Sequence, residues 1–158
     1  LGWGDHHLFD EAAALAQIHE LRGPGLSIVR TPDGGGGGSM SGARTSPGLY
    51  GLAAFWVFGG GEGAYTATGH DDYSRTAWFS ALDADLGRPL GRPRRTSGAW
   101  VREFEGGVAA VALGEEGGGT VRLPAGLRSP GPTGDPDGEA LALELPLSAH
   151  RGMIALRA

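Results

Sequence analysis

The sequence predicts an α/β part followed by an all-β part. The division is a partial (β/α) barrel segment over residues 1–81, a Pro/Arg-rich connector over 82–98, and a C-terminal antiparallel β-sheet or sandwich over 99–158. Three observations predict it. Helix-spaced and strand-like apolar runs alternate up to residue 68, which argues for βα units and a parallel sheet. From Ala99 the apolar period drops to two, the spacing of half-buried strands. Between them, Leu86-Gly-Arg-Pro-Leu-Gly-Arg-Pro93 is an extended connector. Each proline there fixes its own φ and disfavours helix at the residue before it.

In chain order, Asp5, His6 and His7 come first. Adjacent histidines point apart on any regular element, so the segment reads as a loop leading into a helix rather than as metal ligands. Asp10 is a helix N-cap, and Glu11 complements the dipole in the first turn. Ala12, Leu15, Ile18 and Leu21 then repeat at helical spacing until Arg22-Gly23-Pro24 stops them, which predicts a helix over 10–22. Leu26 to Arg30 is a short apolar run of the kind that forms a parallel strand buried on both faces. Thr31 to Thr45 contains five consecutive glycines and is a surface loop. It lacks the Gly-Lys-Ser/Thr ending of a phosphate loop. Ser46 caps the next helix, with Pro47 at its first position. Leu49, Leu52, Ala53, Trp56 and Val57 make that helix apolar nearly all round, so it is expected to be well buried before Gly59-Gly60-Gly61 ends it. Residues 64–68 are the next strand.

After this strand come His70, Asp71, Asp72 and Tyr73, with Trp78 and Phe79 shortly beyond. The loop following a strand in a parallel fold lies on the site-bearing face. Carboxylates that hydrogen-bond hydroxyls and rings that stack on sugar faces suit a carbohydrate site. The same mixture also caps the end of a sheet without binding anything. Asp83 and Asp85 lack the rest of a Ca²⁺ loop. In the second part the predicted strands are 99–104, 108–113, 120–124, 139–145 and 152–157, with Leu141, Leu143 and Leu145 sharing one face. Glu105-Gly106-Gly107 is a hairpin turn in which glycine supplies positive φ. Residues 125–138 form a long loop. Arg102 and Glu103 alternate faces, so one of them can point inward, and a buried ion pair joining the sheet to the α/β part is favoured over a catalytic role.

Composition narrows the function. Gly accounts for 31 of the 158 residues, all 13 basic residues are Arg, and Asn is absent. This is the mark of a GC-rich genome, which weakens a functional reading of the Gly runs. The net charge is −5. Arg88, Arg92, Arg94 and Arg95 form the one basic cluster, without interleaved aromatics, so a solvated linker is expected and a nucleic-acid partner is not. Cysteine is absent, which excludes disulfides, thiolate metal sites and a Cys nucleophile. No run of about 18 apolar residues is present to suggest a membrane helix. No cofactor and no metal are expected.

At this level the chain resembles the C-terminal end of a TIM-barrel glycoside hydrolase of the hypothetical glycosyl-hydrolase families. Four places carry the resemblance: Tyr50-Gly-Leu-Ala-Ala-Phe-Trp56 with Ala64-Tyr65-Thr66; Trp78-Phe79 before Leu86-Gly87-Arg88-Pro89; Trp100-Val-Arg-Glu-Phe104 with Glu105-Gly106-Gly107-Val108; and Thr120-Val-Arg-Leu-Pro124 to Met153-Ile-Ala-Leu156. It implies the last βα units of a barrel, a small β domain packed on them, and further barrel units preceding Leu1 in the native chain. It also implies a polysaccharide or oligosaccharide substrate and admits a secreted or extracellular location. Arg30, Tyr65, His70, Asp71, Asp72, Tyr73 and Trp78 become the substrate-side candidates. Glycoside hydrolysis needs two carboxylates flanking the bond. Glu62, Asp71 and Asp72 are the acids near the implied barrel mouth, and neither catalytic role is assigned to them. The alternative is a non-catalytic carbohydrate-binding or structural β module, an inactive fragment. It would require exposed aromatics on a β face, where Trp100 and Phe104 are the available rings.

Overall fold

The computed structural model describes residues 28–32, 47–61, 63–68, 78–113 and 118–158. Strand β1, Ile28–Pro32, precedes helix α1, Pro47–Ala54, and strand β2 follows at Ala64–Thr68. β1 and β2 pair in parallel, with Ile28 opposite Ala64 and Pro32 opposite Thr68. Beyond Ala54 the helix continues as a π-helical turn, Phe55–Gly59. Gly60 ends it in the left-handed region at φ 68°, its N–H donating to the Trp56 carbonyl at 2.9 Å.

The rest is antiparallel. Strands β3 (Arg94–Thr96), β4 (Ala99–Phe104) and β5 (Gly107–Ala112) follow a short 3₁₀ turn, Ser80–Asp83. Then come β6 (Gly118–Arg122), β7 (Leu127–Arg128), β8 (Glu144–Ser148) and β9 (Arg151–Arg157). Five of these form one sheet in the order β3-β4-β5-β9-β7, while β6 and β8 form a separate two-stranded ribbon. Residues 86–90 extend the β3 edge, where Leu90 N–H donates to Glu103 O and Glu105 N–H to Arg88 O.

The sheet is covered on both faces. Phe104, Ala109, Val111, Ile154 and Leu156 pack with Leu49, Leu52, Ala53, Val57 and Phe58 of the helical segment, and with Leu86. Val101, Val108, Ala110, Met153 and Ala155 pack on the other face with Val121, Leu123, Leu127 and Leu147. β5 is therefore buried along its whole length, which explains its run of Val and Ala without polar alternation. The helical segment is buried nearly all round, as its sequence predicts, because α1 touches β1 and β2 as well as β5 and β9. Burying a side chain such as Phe104 contributes about 1.5–3 kcal/mol. At Gly152 the helix comes so close to β9 that an added Cβ would lie 2.6 Å from Ala53 Cβ and 2.8 Å from Leu49 O.

This architecture overturns the predicted fold class, α/β followed by all-β with a partial (β/α) barrel segment. Among the described residues strand makes up 42% and helix 16%, with a single short α-helix, so the described part is mainly β. One β-α-β crossover is present among the described residues. The face of its helix that would meet further βα units packs instead on the antiparallel sheet. The helix expected over 10–22 lies outside the described residues. Two local readings also change. The strand expected over 139–145 begins at Glu144 and leaves Leu143 exposed, with Leu143 O accepting from Leu123 N–H. Neither Gly106 nor Gly107 takes a left-handed φ. What requires glycine there is space: a Cβ on Gly107 would lie 2.0 Å from Ala155 O, and one on Gly106 2.8 Å from Asp85 O.

Candidate functional site

The sequence-predicted residues divide into three groups. His70, Asp71, Asp72 and Tyr73 lie outside the described residues, as does Glu62. Arg30 sits in the middle of β1, opposite Thr66 of β2. Tyr65, its neighbour in β2, is half-buried against α1; its hydroxyl donates to Gly48 O at 2.9 Å and its ring lies 5.7 Å from that of Phe55. Tyr65 thus joins β2 to the start of the helix. Trp78 is the third case. The residue is 57% exposed, and its Nε1–H donates to Asp83 Oδ2 at 3.1 Å.

The local sequence explains the Trp78 geometry. Phe79 is extended and buried, and Ala81 and Ala84 are buried beside it. These anchors hold the 3₁₀ turn on the core and turn its polar residues outward. Asp83 ends the turn on the surface, five residues on from the tryptophan whose indole N–H it accepts. Gly134, at φ 79°, packs under Asp83 so closely that a Cβ there would lie 2.7 Å from Asp83 Cβ. The Pro/Gly/Asp-rich stretch before β8 therefore supports this corner. Sequence reading treated Asp83 only as half of an incomplete Ca²⁺ loop. No signal in the local sequence marks the pair, because the hydrogen bond and the support from Gly134 are set by the fold.

Arg102 does not form a catalytic arrangement. Its Nη1 donates to Val57 O at 3.1 Å and its Nε to Gly91 O at 2.9 Å, with the guanidinium 5.8 Å from the Phe104 ring centre. It thus caps the Val57 carbonyl near the end of the helical segment, where a cation is favoured, and bridges it to the edge segment at Gly91. Glu103 points to the opposite face and pairs with Arg94 at 2.9 Å. The sheet is thus tied to the helix by an arginine on carbonyls, as well as by Trp56 against Phe104 and Phe58 against Trp100. Trp100 and Phe104 are consumed in these contacts, so they do not supply an exposed aromatic face.

A cleft of about 270 Å³ opens between α1, β8 and β9. Leu49, Leu141, Leu147, Met153 and Ile154 line it, with Arg151 and Ser148 at hand, and none of its lining among the described residues is a carboxylate. The described lining is therefore mainly apolar, whereas acid–base cleavage of a glycosidic bond takes a pair of carboxyl groups. Among the described residues no three His, Cys, Asp or Glu side chains gather to hold a metal ion, and no helix is long and apolar enough to cross a membrane.

Against known families, the model described as hypothetical glycosyl hydrolase family 15 matches residues 2–108, more than half of the chain. The match takes in β1 through β4 and the Trp78–Asp83 corner, and it ends in the β4–β5 hairpin. No curated protein and no solved structure matches the chain.

Proposed function

The chain belongs to the hypothetical glycosyl hydrolase family 15, and from that premise we propose that it serves a glycoside-hydrolase-like protein acting on a polysaccharide or oligosaccharide. In this reading the chain supplies part of the substrate rim, and its antiparallel sheet is the accessory layer that carries the rim. Arg30, Tyr65 and Trp78, with His70, Asp71, Asp72 and Tyr73, are the substrate-side residues.

The observation that carries the reading is Trp78. Tryptophan is highly buried on average, yet this residue is more than half exposed and its indole is held by a carboxylate. It also lies five residues beyond the acidic and aromatic segment 70–73. An exposed ring beside hydroxyl-binding groups is the chemistry that recognises a sugar, whose C–H face stacks and whose hydroxyls donate.

The test is turnover of glycans by the complete protein carrying Asp71→Ala and Asp72→Ala, singly and together. Loss of turnover with the fold retained is the expected result. Unchanged turnover in the double variant removes both aspartates from the site.

A further inference from the structure

We infer that Trp78 and Asp83 together form a subsite for a neutral sugar ring, one that discriminates against uronates. The inference rests on the carbohydrate reading above and deepens it by naming the substrate class and a residue, Asp83, that it did not include.

Three features make the pair a built platform. The indole is fixed in direction, because Nε1–H is committed to Asp83 Oδ2 at 3.1 Å. Asp83 itself is fixed from both sides. Its turn is closed by Leu82 N–H to Phe79 O at 2.9 Å and Ala84 N–H to Ala81 O at 3.3 Å, and Gly134 packs beneath it. A ring ordered before binding gives up less freedom when a ligand arrives. The exposed indole face can stack on the C–H face of a pyranose. The exposed Asp83 carboxylate accepts at both oxygens and has lone pairs left after taking the indole N–H. It can therefore receive a sugar hydroxyl next to the ring.

Charge selects the substrate. Asp83 is a carboxylate at the edge of the stacking face, and Asp85, two residues on, is exposed with Oδ1 accepting from Gly87 N–H at 2.8 Å. A uronate bound here would bring its own carboxylate against them, whereas a neutral ring would not. Repulsion of the wrong ligand is as effective a source of specificity as attraction of the right one.

The experiment is calorimetric titration of the protein with cellopentaose, xylopentaose, arabinopentaose and maltopentaose as neutral probes, and with pentagalacturonate as the anionic probe. At least one neutral probe is expected to bind, and pentagalacturonate to bind more weakly. Trp78→Ala and Asp83→Ala are each expected to lower the neutral affinity about three- to tenfold. Asp83→Asn keeps an acceptor oxygen and is expected to retain neutral binding while narrowing the gap to pentagalacturonate. Both residues are on the surface, so circular dichroism of each variant should match the parent. No binding of any neutral probe, unchanged affinity in Trp78→Ala, or tighter binding of pentagalacturonate overturns the subsite. Glycan turnover by the complete protein, measured beside these titrations, separates the two readings. Binding through Trp78 without turnover leaves the subsite standing and removes the hydrolase reading. Turnover that is indifferent to Trp78 does the reverse.

Discussion

At the scale of the residue, burial decides what a polar group can do. Tyr50 is the clearest case. It lies on α1 with its ring edge-on to His150 at 6.0 Å, and burial raises its phenol well above the ordinary 10.0. The neutral phenol is the form that the folded chain tolerates. The unfolded chain releases this proton near its ordinary value, while the folded chain holds it to higher pH. Stability from this group is therefore intact below about pH 10 and falls as pH rises above it. Tyr50→Phe cannot ionise, so it should lose less stability than the parent between about pH 9 and 11. Urea midpoints measured across that window check this, and parallel curves for the two proteins would refute it.

At the scale of the element, glycine separates two physical roles. In the β4–β5 hairpin the glycines are needed for clearance. A Cβ on Gly107 would meet Ala155 O at 2.0 Å and Leu86 Cδ2 at 2.8 Å, so it would force β5 away from β9. Gly91, on the edge segment before β3, has nothing within 4 Å of the same position. Gly107→Ala should therefore destabilise by about 1–3 kcal/mol, the usual cost of overpacking. Gly91→Ala should stay within about 0.5 kcal/mol of the parent, as surface substitutions do. Chemical denaturation of the two variants side by side reads the difference. The pair also marks how far the sequence could be read. Sequence pattern located α1, β2, β4, β5 and β9 to within a residue or two, because each carries a strong apolar period or an abrupt Gly/Pro boundary. It identified the hairpin but gave its glycines the wrong reason, since clearance depends on Asp85 O for Gly106 and, for Gly107, on β9, some 45 residues away. It misplaced the strand near Leu141–Leu145 because period-two leucines satisfy a strand pattern, whereas residues 140–143 make only isolated backbone contacts, with Leu127, Arg128 and Leu123, before continuous pairing begins at Glu144. The site was partly legible: Trp78 stood out by type and neighbourhood. Asp83 did not, because its value comes from a hydrogen bond and from support by Gly134, which local sequence does not encode.

At the scale of the molecule, the predicted division into an α/β part and a β part meets an interior that crosses it. One core joins Leu49, Leu52 and Phe58 of the helical segment to Leu86, Phe104, Val111, Ile154 and Leu156. α1 rests on β9, almost the last residues of the chain, and Gly152 is what lets it come so close. Neither side can expose this interface cheaply, because its apolar surface would pass to water at roughly 25 cal/mol per Å². The described core should then unfold as one unit. Near-ultraviolet dichroism reports on Trp56 and Trp100, which pack across the interface, and far-ultraviolet dichroism reports on the strands. The two signals should give coincident urea transitions. Gly152→Val should shift both to lower urea together, by about 1–3 kcal/mol, since the added side chain must displace Ala53 and the Leu49–Tyr50 backbone. Two separated transitions in the parent, or a near-ultraviolet loss in Gly152→Val that leaves the strand signal in place, would mean that helix and sheet fold apart. Coincidence in both proteins would mean that the antiparallel sheet is the foundation on which the crossover is stable. The Trp78 corner would then depend for its geometry on strands that lie beyond the family match.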